Sequence, residues 1–279
     1  MEYFPARPSV ARRLPSLISM AVAGQVAYRG WCGNAARALR AARTPAPPDL
    51  AWRTRKGGLT LHTPGYHWSS PTACLARDIY DLKALEPTAE PRRILDLGAN
   101  MGAFSAALSL RWRHLEGIAV EPAASTFAYL QRNLAAQPTL HGVQALRAAV
   151  VGEGSPPSRE LTVFARTPQA NSLLAPPAAG EPAGRETVPA IGLAALMSRL
   201  SGDVDLLKCD IEGGEYEVLL GAPAALLRPV RRLVLEYHHV PGHDPAELVA
   251  HLAAAGLSLV RLDVRLTQMW LTRPPARWK

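Results

Sequence analysis

The chain is predicted to be a doubly wound α/β protein, a mostly parallel sheet with helices on both faces. Three observations carry that prediction. From Arg92 onward, short apolar strands alternate with helical segments, the pattern of βαβ crossover units. The stretch Ile94–Ser105 runs from an apolar strand through spaced glycines into an Ala/Leu-rich helix, the unit with which such sheets grip adenosine-containing ligands. Acids and imidazoles (Glu121, Asp210, Glu236, His238) fall at or just beyond the ends of strands, where open α/β sheets bind ligands.

Taken in order, residues 1–45 are expected to form a basic, helical arm. It mixes Arg7, Arg12, Arg13, Arg29, Arg37, Arg40 and Arg43 with apolar segments such as Leu14–Val26, which is too short and too interrupted to span a bilayer. Its basic start and the small residues at Ala21–Ala23 share features with a targeting peptide. Packing on the domain, or lying at a membrane surface, accounts for it better. The Thr44–Pro48 run marks a linker, and residues 46–91 lead into the main domain. Alternation at Gly58–His67 predicts a short strand or hairpin. Leu75, Ile79 and Leu82 predict a helix over Thr72–Leu85, ended by Pro87–Pro91.

The main domain spans 92–279. Its first strand is Arg93–Leu97, with a helix over Gly102–Arg111. Its second is Gly117–Glu121, with a helix over Ala123–Ala135, and its third is Val143–Ala148. Residues 152–186, rich in Gly, Pro and Ser with one strand-like piece at Leu161–Ala165, are too long for a plain connection and are expected to be a variable, substrate-facing insertion. A helix over Ile191–Leu200, a strand at Val204–Asp210, a helix over Glu215–Leu220 and a strand at Arg231–Glu236 follow. A helix over Pro245–Ala255 and strands at Leu257–Leu262 and Leu266–Leu271 complete the pattern.

The formal charge of +8 is an N-terminal property. Residues 1–56 hold ten Arg/Lys against Glu2 and Asp49, whereas residues 57–279 hold 21 basic against 21 acidic side chains. A basic arm suits anionic surfaces, and peripheral membrane contact is its expected use. Nucleic acid is not an expected partner: a base-amine motif of the Asn/Asp-Pro-Pro-Tyr/Phe type is absent and aromatics make up only 6%. Cys32, Cys74 and Cys209 fit neither a disulfide framework nor a zinc motif, so a reducing, cytoplasmic setting is expected.

The glycine loop is selective about its ligand. Gly98, Asn100 and Gly102 set a Gly-x-Asn-x-Gly spacing that departs from the dinucleotide fingerprint. Asp96 in the loop mouth repels a pyrophosphate and welcomes an ammonium group. S-adenosylmethionine carries an ammonium and no phosphate, so the loop is read as its site and a dehydrogenase is disfavoured. Glu121, 23 residues beyond Gly98, is the expected acceptor for both ribose hydroxyls. Ala149, just past the third strand, completes the expected cofactor contacts.

Two further stretches, Leu206–Glu215 and Leu233–His239, converge on the same sheet edge. Asp-x-Gly-Ala-Asn-x-Gly at 96–102, Glu-Pro at 121–122, Leu-Lys-x-Asp-x-Glu-Gly-x-Glu at 207–215 and Glu-x-His at 236–238 resemble the FkbM family of S-adenosylmethionine-dependent methyltransferases, over roughly residues 75–255. The resemblance implies O-methylation of a hydroxyl on a sugar, polyketide or related metabolite or glycan. It also implies a seven-stranded sheet with the last strand antiparallel. The alternatives are an inactive S-adenosylmethionine-binding module that uses the basic arm for interaction and, less favoured, a nucleic-acid methyltransferase.

Methyl transfer requires the acceptor oxygen to be aligned with the methyl carbon and its proton to be managed. Asp210, Glu236 and His238 are the candidate catalytic residues. Imidazole titrates near neutrality, so His238, or Asp210 acting through it, is the expected base. The competing arrangement places a divalent cation, magnesium or calcium, between Asp210 and Glu236, with or without Glu212. Glu212, with Asn171 and Ser172 from the insertion, is the expected acceptor-binding set. Glu215 and Glu217 read as acids opposing a helix dipole, Lys208 as neutralising nearby carboxylates, and Cys209 as core.

Overall fold

The computed structural model describes residues 28–41, 49–65, 67, 70–85, 91–164, 171–173 and 183–274. Contacts divide the chain into two compact units, Met1–Ala84 and Leu85–Lys279. The expectations for Leu14–Val26, for the linker at Thr44–Pro48 and for the helix stop at 87–90 lie outside the described residues, as does much of the insertion. Among the described residues no helix is long and apolar enough to cross a membrane.

In the first unit, β1 (Tyr28–Arg29), β2 (Leu50–Thr54) and β3 (Thr60–Thr63) form an antiparallel sheet, with α1 (Trp31–Ala41) after β1. Leu50, Trp52 and Thr54 alternate inward along β2. The Trp52 indole donates to Thr63 Oγ1 at 3.0 Å, and the Tyr28 hydroxyl donates to the Pro71 carbonyl at 2.6 Å. The stretch Gly58–His67, expected as a short strand or hairpin, supplies β3, which forms a hairpin with β2. The helix expected over Thr72–Leu85 is broken into a π turn at Pro71–Ala76 and a 3-10 turn at Leu82–Leu85. Between them Asp78 and Asp81 both take φ 50. The Asp78 carboxylate accepts from the amides of Leu82 and Lys83 at 3.0 and 3.1 Å, trading helix continuation for a local cap.

The second unit is built on a seven-stranded sheet of β4 (Arg93–Leu97), β5 (Glu116–Val120), β6 (Gly142–Leu146), β10 (Leu206–Cys209), β11 (Arg232–Glu236), β12 (Ser258–Asp263) and β13 (Gln268–Thr272). Their order is β12-β13-β11-β10-β4-β5-β6. The β11-β10-β4-β5-β6 pairs are parallel, and β13 runs antiparallel to both its neighbours. Helices α2 (Ala103–Ser109), α3 (Ala124–Ala135), α4 (Leu193–Met197), α5 (Glu215–Gly221), α6 (Ala224–Leu227) and α7 (Pro245–Ala254) make the crossovers. The main core joins Leu95, Leu97, Ile118 and Val120 to Leu207, Cys209, Leu233 and Leu235. Those strands are buried on both faces, as parallel strands between helix layers must be.

Three differences from the sequence reading bear on the site. The third strand, expected to run to Ala148, stops at Leu146, and a separate β7 (Ala149–Val151) leaves the main sheet. The insertion holds β8 (Ser158–Val163), and β9 (Gly184–Gly192) pairs parallel with β7 and antiparallel with β8. The helix expected over Ile191–Leu200 therefore shrinks to α4, because β9 takes its first residues.

Candidate active site

Register decides which side chains meet. Lys208 on β10 lies opposite Asp96 on β4, and Cys209 lies opposite Leu235 on β11. Side chains alternate along a strand, so Lys208 and Asp210 share a face at the carboxyl end of the sheet. The Lys208 ammonium, 3% exposed, donates to the carbonyl of Gly98 at 2.7 Å and of Leu97 at 3.3 Å. It also lies 3.5 Å from Asp96 Oδ1 and 3.4 Å from Asp210 Oδ2. The lysine therefore fastens the glycine loop to the loop after β10.

Asp96 is fully buried and accepts from the Ser105 hydroxyl at 2.9 Å. Burial raises its carboxyl above the ordinary range, against the pull of Lys208. Asp96 has no exposed surface, and the cation beside it is Lys208, beneath the loop. The loop bends through Gly98, Asn100 and Gly102 at φ 75, 50 and 81. Glycine at 98 is demanded by the protein rather than by a ligand: a Cβ there would stand 1.7 Å from the Asp210 carbonyl oxygen.

Glu121 sits just past β5 and is 5% exposed. Its Oε1 accepts from the Ala123 amide at 3.0 Å and from the Thr126 hydroxyl at 2.7 Å, and its Oε2 accepts from the Asn100 amide at 3.0 Å. Oε1 thus holds two donors of the chain and Oε2 one. Burial raises this carboxyl too, opposed by those donors. Ala149 does not bring its side chain to the loop; its methyl packs with Ala123, Val151, Leu161 and Val188.

Beyond β10 and β11, Asp210, Glu212, Glu215 and Glu236 gather around Lys208 and His238. Glu215 opens α5 and is fully buried. Its Oε1 accepts from the Ile211 amide at 2.9 Å and meets His238 Nδ1 at 3.0 Å, while its Oε2 accepts from the Gly213 amide at 3.0 Å. It is more than a partner for the helix dipole: it folds the loop and aims the imidazole. His238 Nε2 lies 3.3 Å from Glu212 Oε2. Glu236 Oε2 accepts from the Gln268 amide at 3.1 Å.

These contacts set the charge of the cluster. Burial alone lowers the His238 imidazole, but the hydrogen bond and charge of Glu215, with Glu212 and Asp210, outweigh it and raise it to about 10. That favours the imidazolium at neutral pH, with both ring nitrogens facing carboxyl groups. Burial pushes Glu212 up to about 8; His238 opposes this, and Asp210, Glu215 and Glu236 add to it. Glu215, closer and fully buried, is the partner that fixes the imidazolium. Burial and Asp210 push Glu236 up to about 7.

A three-residue grouping forms beside the expected pair of Asp210 and Glu236. Among the described residues, the set with donor atoms within 4.8 Å of one another is Asp210, Glu215 and His238, without Glu236. In that set a hydrogen bond already joins Glu215 to His238. The insertion residues are also redirected. Ser172, 1% exposed, donates its hydroxyl to the Glu212 carbonyl at 2.6 Å, so it faces the loop and not an acceptor. Asn171 Oδ1 accepts from the Phe164 amide at 2.8 Å, closing the end of β8. Glu217 Oε1 accepts from the Gly152 amide, Ser155 Oγ and Arg159 Nη2 at 3.1, 3.0 and 2.6 Å, tying α5 to the start of the insertion. Ser105, Thr126 and Gln268 carry site contacts that sequence reasoning missed; Gln268, a polar residue within an apolar strand, was the visible signal.

A seven-stranded sheet of this order, with β13 antiparallel beside β11 and the site at the carboxyl ends of β4 and β10, is that of class I methyltransferases. Within that class the chain belongs to the FkbM methyltransferases: residues 96–259 match the Methyltransferase FkbM domain. It is similar to Methyltransferase sdnD of Sordaria araneosa, at 31% identity over 196 residues, which cover 60% of this chain and 74% of that protein. Among solved structures, the N-terminal domain of human METTL16 in complex with SAH is 12% identical, with a TM-score of 0.43 over 78% of this chain and 77% of that one. CalS10, an amino pentose methyltransferase from Micromonospora echinaspora, is 14% identical, with a TM-score of 0.38 over 71% of this chain and 89% of that one.

Proposed function

We propose that the chain moves a methyl group from S-adenosylmethionine to a hydroxyl of a sugar, polyketide or related metabolite or glycan, with a carboxylate as proton acceptor. The donor supplies a methyl carbon already activated on a sulfonium. Glu121, just past β5 with its Oε2 on the Asn100 amide, suits the ribose hydroxyls, and the bent segment 98–102 cradles the donor beside it. Lys208 holds that segment in register with the loop after β10.

The observation that carries the reading is the gathering of Asp210, Glu212, Glu215, Glu236 and His238 at the carboxyl ends of β10 and β11, tied by Lys208 to the glycine loop; within it Glu236 is held by Gln268, and burial pushes its carboxyl up to about 7. An alcohol becomes acidic only as its oxygen bonds to carbon, so the base works best with a pKa near the working pH. Glu236 meets that condition, and Glu212, at about 8, is a second acceptor in the same cluster. As the acceptor oxygen bonds to the methyl carbon and the carbon–sulfur bond breaks, the hydroxyl proton passes to the carboxylate. His238 contributes fixed positive charge beside Glu212 and Glu215. This scheme assigns no step to a divalent cation.

The test is transfer of an isotopically labelled methyl group from S-adenosylmethionine to panels of sugars, polyketide-type alcohols and matching amines, with and without EDTA, read by mass spectrometry. O-methyl products that persist in EDTA are expected. Transfer to amines alone, or complete loss in EDTA with recovery on adding magnesium or calcium, overturns the scheme.

A further inference from the structure

The proton-accepting loop is held from outside itself. Residues 210–214 connect β10 to α5, and Glu212 at their centre has φ 54, a left-handed conformation in a residue other than glycine. Such residues cost free energy and persist only where their surroundings fix them. Two of the fixings are local, the Ile211 and Gly213 amides bound by Glu215. They hold the N–H groups of the 210–211 and 212–213 peptides, while the Glu212 carbonyl takes a partner of its own. That partner is Ser172, 40 residues away in the insertion, whose hydroxyl donates to it at 2.6 Å.

Ser172 is itself rigidly placed. Its amide donates to the Thr162 carbonyl at 3.2 Å, and its carbonyl accepts from the Thr162 amide at 3.0 Å. It is thereby an extra rung on β8, which pairs along its length with β9. The neighbouring Asn171 closes the same strand end through Phe164. A second tie runs from Glu217 on α5 to Gly152, Ser155 and Arg159. The segment 212–217 is thus attached to the insertion near both its ends. The side-chain consequence is direct: the backbone angle at Glu212 sets where its carboxyl points, 3.3 Å from His238 Nε2.

We propose that Ser172 is a positioning residue for Glu212: the β8–β9 insertion holds the strained loop, and with it the proton-accepting cluster, in working geometry. The role rests on the reading of Glu212 and Glu236 as proton acceptors. It gives the insertion a task separate from contact with the acceptor, and a chain that repacks the 171–173 rung alters catalysis without touching donor or acceptor.

The experiment compares wild type, Ser172→Ala and Ser172→Thr by hydrogen exchange, with and without S-adenosylhomocysteine. It adds methyl transfer to the acceptor found in the screen above. Loss of one buried hydrogen bond is expected to speed exchange of the 211–214 amides roughly tenfold, with β4 and β10 unchanged. kcat should fall about tenfold with the KM for S-adenosylmethionine and S-adenosylhomocysteine affinity within about threefold, and Ser172→Thr, which keeps the hydroxyl, should restore both readouts. Unchanged exchange at 211–214 in Ser172→Ala overturns the proposal, and so does a uniform rise across the whole unit, which marks an ordinary core residue. If the wild type transfers no methyl group, the functional reading fails by that result, while the exchange data still decide whether Ser172 holds the loop.

Discussion

Lys208→Met isolates the ion pair beneath the glycine loop. Methionine keeps most of the apolar stem and removes the ammonium, which serves Gly98, Leu97, Asp96 and Asp210 at 2.7–3.5 Å. Removing one partner of a buried pair costs about 3–5 kcal/mol, because the other charge is stranded. Here the stranded group is Asp96, with no exposed surface. The loss has a ceiling, since Asp96 escapes by taking up a proton. Protonating a carboxyl of ordinary value 3.8 at pH 7 costs about 4 kcal/mol at 1.36 kcal/mol per pH unit, and less for Asp96, which burial already raises. The expected loss at pH 7 is therefore roughly 2–4 kcal/mol in urea unfolding. The pH dependence is the sharper signature. In the variant the folded-state pKa of Asp96 rises further above its unfolded value, so the folded form binds the extra proton, and the difference from wild type shrinks as pH falls from 7 toward 4. Adding Asp96→Asn should recover most of the loss at pH 7. A loss below about 1 kcal/mol, or one unchanged between pH 7 and 4.5, refutes the account of Lys208 as the counter-charge of Asp96.

Three other outcomes are expected. Gly98→Ala, with φ 75 and a Cβ 1.7 Å from the Asp210 carbonyl oxygen, should destabilise by more than about 2 kcal/mol, since left-handed geometry alone costs roughly 1–2 kcal/mol before any clash; thermal unfolding within about 2 °C of wild type contradicts the packing. Glu121→Gln turns one of its two acceptor oxygens into an amide nitrogen among amide and hydroxyl donors, so S-adenosylhomocysteine affinity by calorimetry should fall about tenfold or more; unchanged affinity removes Glu121 from the donor site. Methyl transfer should rise with pH as Glu236 and then Glu212 lose protons, near 7 and 8. Glu236→Gln should abolish the lower limb and lower kcat on the order of 10²–10⁴-fold; a wild-type rate that falls across pH 6–8 rules the carboxylates out as bases.

The sheet was legible because its strands are written as uninterrupted apolar runs bounded by turns, and crossover topology then leaves few arrangements. What was not legible is local chemistry that competes with periodicity. Leu75, Ile79 and Leu82 carry a helical spacing, yet Asp78 turns its carboxylate onto the amides of Leu82 and Lys83 and ends the helix. β9 was hidden by Pro189, which reads as a strand breaker; the pairing partner that stabilises it, β8, lies more than 20 residues earlier.

In the site, position was readable and charge state was not. Asp210, Glu236 and His238 follow from strand ends, because the ends of parallel strands meet at one edge whatever their side chains do. Which of them takes a proton depends on distances that no spacing encodes. His238 titrates near neutrality in water, so imidazole was the natural base in the sequence. Folding sets Glu215 at 3.0 Å from one ring nitrogen and Glu212 at 3.3 Å from the other, which spends the imidazole as a cation. The same enclosure raises the acids. Four carboxyl groups against two cations leave the cluster short of positive charge, and burial makes that shortage costly. The groups that yield are Glu212 and Glu236, raised into the neutral range. On the proposed reading, the enclosure that holds His238 as a cation prepares a carboxylate to act as the base.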